Sequence, residues 1–66
     1  MNQKAEQIAL EQAGGGEIVE REFSKEFLWS DYSYTVQNGD KWYKIDITDF
    51  GNVEEMESGN GDSWKY

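Results

Sequence analysis

The dipeptide Asn38-Gly39 constrains this chain more than any other stretch, because it joins two alternating, β-prone runs. Tyr-Ser-Tyr-Thr-Val-Gln leads into it from Tyr32, and Asp-Lys-Trp-Tyr-Lys-Ile-Asp-Ile-Thr leads out of it to Thr48. A type I′ turn needs positive φ at both central residues, which Asn-Gly tolerates best, so a β-hairpin is expected. A two-residue loop at Asn38-Gly39 would pair Val36 with Lys41, Tyr34 with Tyr43 and Tyr32 with Ile45. Alternation then collects Tyr32, Tyr34, Val36, Tyr43, Ile45 and Ile47 on one face. Ser33, Thr35, Trp42, Lys44, Asp46 and Thr48 fall on the other. A slip of one residue would set Tyr34 against Lys44 and undo this segregation, so the choice of face is strongly specified.

The apolar face needs a cover. Ala5, Ile8, Ala9 and Ala13 lie at helical spacing on one stripe, with Leu10 beside it, so a helix is expected from Asn2 or Gln3 to Ala13. Gly14 suits the left-handed position that ends a helix. A helix this short gains its stability by packing, and its alanines would allow close approach to large side chains opposite. Gly14-Gly15-Gly16 follows a helix and precedes a strand, the wrong order for a phosphate-binding loop, so it is expected to be a simple reversal.

Glu17 to Trp29 is rich in β-formers. Val19, Phe23, Phe27 and Trp29 share one parity with Arg21 and Lys25, which makes that parity the expected core face, with a bulge or break near Ser24 to Glu26. Phe27-Leu28-Trp29 cannot all point inwards from one strand, so at least one member is expected at the surface. After the hairpin, Gly51 in the left-handed conformation would pair Ile47 with Val53 across a three-residue loop. A short fourth strand, Val53 to about Met56, is expected to end the domain, its edge guarded by Glu54, Glu55 and Glu57. The boundaries are therefore one domain over residues 1–57 and a flexible C-terminal tail over 58–66, although that tail carries Trp64 and Tyr66. The fold class is α+β, one N-terminal helix on a three- to four-stranded antiparallel sheet in α-β-β-β-β order.

Ala5-x-x-Ile8-Ala9-Leu10-x-x-Ala13-Gly14-Gly15-Gly16-x-Ile18-Val19 resembles the opening of PepSY domains, and Tyr43-x-Ile45-Asp46-Ile47-x-x-x-Gly51-x-Val53 resembles their close. The resemblance spans about residues 5 to 56 and implies the same helix-on-sheet architecture. PepSY domains occur in propeptides of metallopeptidases and in bacterial envelope proteins, where restraint of a peptidase has been proposed. A non-enzymatic inhibitor or sequestering factor for a partner protein is what the resemblance implies here.

Chemistry is poorly provided for. The chain has no His and no Cys to activate a serine or supply a thiolate, and no Cys or His cluster for zinc. Asp49-Phe50-Gly51 matches the magnesium triplet of kinases without the loops that accompany it. Asp46, Asp49 and Glu54 lack the spacing of an EF-hand. No enzyme, cofactor or metal site is expected. Fourteen acids against six bases give a net charge of −8, which argues against direct binding to nucleic acid or an anionic membrane. Absence of an apolar leader, of a spanning segment and of cysteine gives the expectation of a cytoplasmic protein.

What remains is binding to a protein. From Ile45 to Trp64 there are six carboxylates and no Lys or Arg. That gap marks either a solvated edge or a surface for a basic partner. Trp42 stands on the polar face of the hairpin, where it is either packed, across Thr35 or under the C-terminal residues, or exposed as an anchor. The candidate partner-binding residues are Trp42, Lys44, Trp29, Asp46, Glu54, Glu55, Glu57 and Trp64. The aromatic surplus also suits a homodimer. The alternative function is a phage-type anti-defence protein whose carboxylates mimic nucleic acid and block a basic cleft.

Overall fold

A computed structural model of the chain describes residues 3–25 and 27–66. Helix α1 (Gln3–Ala13) is followed by strands β1 (Glu17–Lys25), β2 (Ser30–Asn38), β3 (Lys41–Thr48) and β4 (Val53–Asn60), and by a 3-10 turn at Ser63–Lys65. The strands form one antiparallel sheet in the order β1-β2-β3-β4. The expected fold class and element order are those observed. Asn2, the earlier of the two expected helix starts, lies outside the described residues.

The core sits where the alternation places it. Ala5, Ala9 and Ala13 of the helix are buried against Tyr34, Val36, Ile45 and Ile47, with Ile8, Leu10, Ile18, Tyr32 and Tyr43 packed around them. Each large side chain withdrawn from water in this way contributes about 1.5–3 kcal/mol before entropy is counted. Alanines at the contact let the helix backbone approach the four large residues of the central strands closely. Tyr34 is the exception to clean burial, since its hydroxyl makes no hydrogen bond. Burial raises the Tyr34 pKa above 10.0, Glu6 and Tyr32 add to the rise, and Arg21 opposes it.

Helix α1 ends in a Schellman motif. Gly14 (φ +76°) and Gly15 donate their N–H groups to the carbonyls of Glu11 and Leu10, at 3.1 and 2.8 Å. The Ala13 carbonyl accepts a hydrogen bond from Asn38 Nδ2 at 2.8 Å. Gly16 lies so close to the backbone of Gln37 and Asn38 that a Cβ there would collide with both. The glycine link is thus clamped onto the end of the β2–β3 hairpin.

That clamp coincides with a change of register. Asn38 pairs with Lys41, Val36 with Tyr43, Tyr34 with Ile45 and Tyr32 with Ile47, two residues away from the expected register. The central turn residues are Gly39 and Asp40, and Gly39 (φ +63°) alone has positive φ, the pattern of a type II′ turn. Asn38 stays in the strand, where its amide reaches the helix. Because the shift is an even number of residues, every face assignment survives.

Strand β1 also departs from expectation. Its register breaks between Ile18 and Glu20, so the bulge falls at Val19 and not at Ser24 to Glu26; Glu26 itself lies outside the described residues. Ile18, opposite Val36, therefore takes the place expected for Val19 on the core face. Beyond the bulge Phe23 pairs with Tyr32, their ring centroids 5.3 Å apart, but Phe23, Phe27 and Trp29, expected on the core face, are exposed because the short helix covers only the central strands. Arg21 reaches Glu6 of the helix at 3.3 Å, a half-exposed pair of small energetic weight. β1 stops at Lys25, and β2 opens at Ser30.

Gly51 has φ +84° and Val53 pairs with Ile47, as expected. A second irregularity at Glu54 follows, and β4 then runs to Asn60, four residues past the expected end. Residues 58–60 pair with Tyr43, Trp42 and Lys41, so they belong to the sheet and not to a tail. The longer pairing is possible because Gly59 leaves room for the Trp42 ring directly opposite.

Candidate partner-binding surface

One face of the sheet carries the helix; the opposite face is open and acidic. Register places Glu22, Asp31, Ser33, Thr35, Gln37, Trp42, Lys44, Asp46, Glu55 and Glu57 on it. Cross-strand neighbours include Lys44 with Glu57, an opposite-charge pair, and Asp46 with Glu55, a like-charge pair. Like charges placed directly opposite are destabilising, so the second pairing is a cost the sheet carries. A shallow depression of about 250 Å³ is lined by Glu22, Ser24, Asp31, Tyr32, Ser33, Lys44, Asp46 and Glu54. Lys44, Asp46 and Glu54, singled out from sequence, thus meet there, while Glu55 and Glu57 lie along the neighbouring edge strand.

The tryptophans separate. Trp42 and Trp64 gather at the hairpin end, where the C-terminal 3-10 turn folds back. Trp42 Nε1 donates to Ser63 Oγ at 2.8 Å, and Ser63 Oγ donates to the Asn60 carbonyl at 3.1 Å. The Trp42 ring lies against Gly59, where an added Cβ would come within 2.5 Å of three ring atoms. Trp64 Nε1 donates to Gln37 Oε1 at 2.7 Å, and Lys65 Nζ stands 5.6 Å from the Trp64 ring centre. Gln37 Nε2 is directed at the carbonyls of Gly61, Gly39 and Lys41, at 2.7, 2.9 and 3.2 Å. Of the placements open to Trp42, the one under the C-terminal residues is observed, and both tryptophans there are partly covered. Gln37, the hub of this network, carries no sequence signal of its role.

Trp29 lies at the other end of the sheet, with the β1–β2 and β3–β4 connections. Phe27 is 94% exposed, Leu28 79%, Phe50 82% and Trp29 47%. Leu28, Trp29 and Phe50 line a groove of about 360 Å³ together with Thr48, Asn52 and Glu54. Two hydrogen bonds join the connections: Ser30 N–H to Asp49 Oδ2 at 2.7 Å, and Asp49 N–H to the Ser30 carbonyl at 3.1 Å. Thr48 Oγ1 accepts the N–H groups of Phe50 and Asn52, at 3.3 and 3.2 Å. Phe50 escaped the sequence reading because it sits in a turn; its signal was a large aromatic at a loop position with no strand partner.

Among the described residues no group of three or more acidic side chains is arranged to hold a metal ion, and no helix is long and apolar enough to cross a membrane. No family model matches this chain, and neither does any curated protein or solved structure.

Proposed function

We propose that this chain is a non-enzymatic protein-binding module, acting as an inhibitor or sequestering factor for a partner with a basic surface. The observation that carries this reading is the exposed aromatic end of the sheet. Leu28, Trp29 and Phe50 line an apolar groove bordered by the Glu54 carboxylate, with exposed Phe27 next in the chain, on a domain that has cover available and uses it elsewhere. Contiguous exposed apolar surface rimmed by polar residues marks interaction sites, and Trp is prominent among interface anchors. The helix-on-sheet order is also consistent with the PepSY resemblance, in which restraint of a partner is the expected role. The absence of His and Cys from the whole sequence favours binding over turnover.

A second reading has its own observation. Asp46 faces Glu55 across β3 and β4, a like-charge pairing with no structural benefit. Local rules are broken most often where function requires it, and a row of carboxylates could stand in for phosphates in a basic cleft. In that reading the chain works in a cytoplasmic anti-defence role.

Affinity capture from the native host, with the captured protein identified and its binding remeasured at low and high salt, tests both. The module reading expects Trp29→Ala to weaken capture at every salt concentration. The mimic reading expects affinity to fall steeply with salt and with Glu54→Lys plus Glu55→Lys. Capture of nothing beyond what a scrambled-surface control retains would sink both.

A further inference from the structure

We infer that the groove between Leu28, Trp29 and Phe50 takes an apolar side chain of a partner protein, and that a Lys or Arg beside it seats over the neighbouring acidic depression. This deepens the module reading and rests on it. The two hollows adjoin, because Glu54 lines both of them. One is apolar on three sides. The other presents the carboxylates of Glu22, Asp31, Asp46 and Glu54 against the single ammonium of Lys44. Four carboxylates against one ammonium leave acceptors there in excess of donors. A guanidinium, with five N–H donors, or an ammonium, with three, complements such a surface.

The groove is also held in shape before anything binds. The paired Ser30–Asp49 hydrogen bonds tie the start of β2, next to Trp29, to the loop carrying Phe50. Thr48 Oγ1 fixes that loop from within. Its walls therefore need little ordering on binding, which is the cost that most often weakens exposed aromatic contacts. A volume of about 360 Å³ is large enough for one aromatic or branched aliphatic side chain. Charge decides between occupants: a second copy of a chain with net charge −8 would bring carboxylates to carboxylates, whereas a basic segment would not.

The probe is a phage-displayed library of random dodecapeptides, selected against the immobilised full chain. Enriched peptides are expected to carry an aromatic or branched aliphatic residue next to Lys or Arg. Their amide shift perturbations should centre on Leu28, Trp29, Asp31 and Phe50. Phe50→Ser and Glu54→Lys should each weaken them at least tenfold; both residues are exposed, so both variants fold, as circular dichroism checks. Enriched peptides without a basic residue, or binding untouched by both substitutions, would overturn the inference. So would failure to enrich any peptide, or sedimentation that reveals a dimer dissociated by Phe50→Ser. In each of those outcomes the module reading is still judged separately, by capture of a whole protein.

Discussion

At the hairpin end of the sheet, Trp42 and Trp64 each donate their indole N–H to the chain itself, to Ser63 and to Gln37. At the opposite end, Trp29 and Phe50 line a groove that is open to solvent. Both ends have the same raw material: aromatic side chains, a tight loop and nearby carboxylates. The difference is a length of chain. Residues 58–65 extend β4 and fold back over Trp42, while the connections at the other end are too short to reach back over themselves. Where a small domain can cover its aromatics with its own backbone, they become structure. Where it cannot, they remain available, and that contrast is what favours the uncovered end as the proposed working surface.

The most direct way to break this comparison is to reopen the closed end. Gly59→Ala would drive a methyl group into the Trp42 ring, which cannot move without losing Ser63. Forced overpacking of this kind costs about 2 kcal/mol. Urea unfolding should therefore show a lower midpoint with an unchanged slope, and Trp42 emission should shift to the red. If Gly59→Ala is as stable as the parent and its emission is unmoved, the hairpin end is not closed in the sense argued here.

Much of this arrangement was legible in the residues. The period of two along Tyr32–Thr48 fixes which side chains face the helix, and the alanine stripe identifies their cover. Gly51 marks its turn correctly because only glycine takes that conformation cheaply. Most of the misplacements share a cause. Asn38-Gly39 reads locally as a type I′ turn, but the Asn38 amide is claimed by the Ala13 carbonyl, twenty-five positions earlier in the chain. Ile18 and Val19 are equally apolar, so the residues alone did not say which one the bulge would exclude. Trp42 was legible as a candidate on the polar face, yet its cover comes from Ser63, far along the chain. Phe50 looked like turn filler until Ser30 and Asp49 joined two loops. Long-range hydrogen bonds mark the Asn38, Trp42 and Phe50 cases, and period and propensity do not report them.

Between the two ends lies a residue that sharpens the contrast from the opposite direction. Tyr34 is an enclosed polar group without a partner, as Phe50 is an apolar group without a cover. Tyr34→Phe removes the unsatisfied hydroxyl and keeps the ring, so it should raise stability by about 1 kcal/mol at neutral pH. Its pH dependence follows from the raised pKa, whose first cause is burial. Above pH 10.0 the unfolded tyrosine ionises while the folded one stays protonated, so the parent loses stability as pH rises from there towards the folded value. Below pH 10.0 this contribution is fully present. The Phe variant lacks this part of the alkaline decline. Thermal melts of both proteins from pH 8 to pH 11 test it, and parallel curves across that range would mean that the hydroxyl is satisfied after all.

The smallest expected change in stability belongs to Phe50→Ser, and its smallness is the point. Phe50 is exposed, and its loop is held by Thr48, Ser30 and Asp49 through backbone, hydroxyl and carboxylate atoms that the substitution leaves alone. Surface changes away from such features stay within about 0.5 kcal/mol. If the aromatic end were part of the folding core, losing this ring would cost several times that. A melting curve superimposable on the parent, alongside a loss of partner capture, would separate what holds this protein together from what it presents to others. A clear drop in stability would instead place Phe50 with Trp42, as structure, and leave the sheet with no end free for a partner.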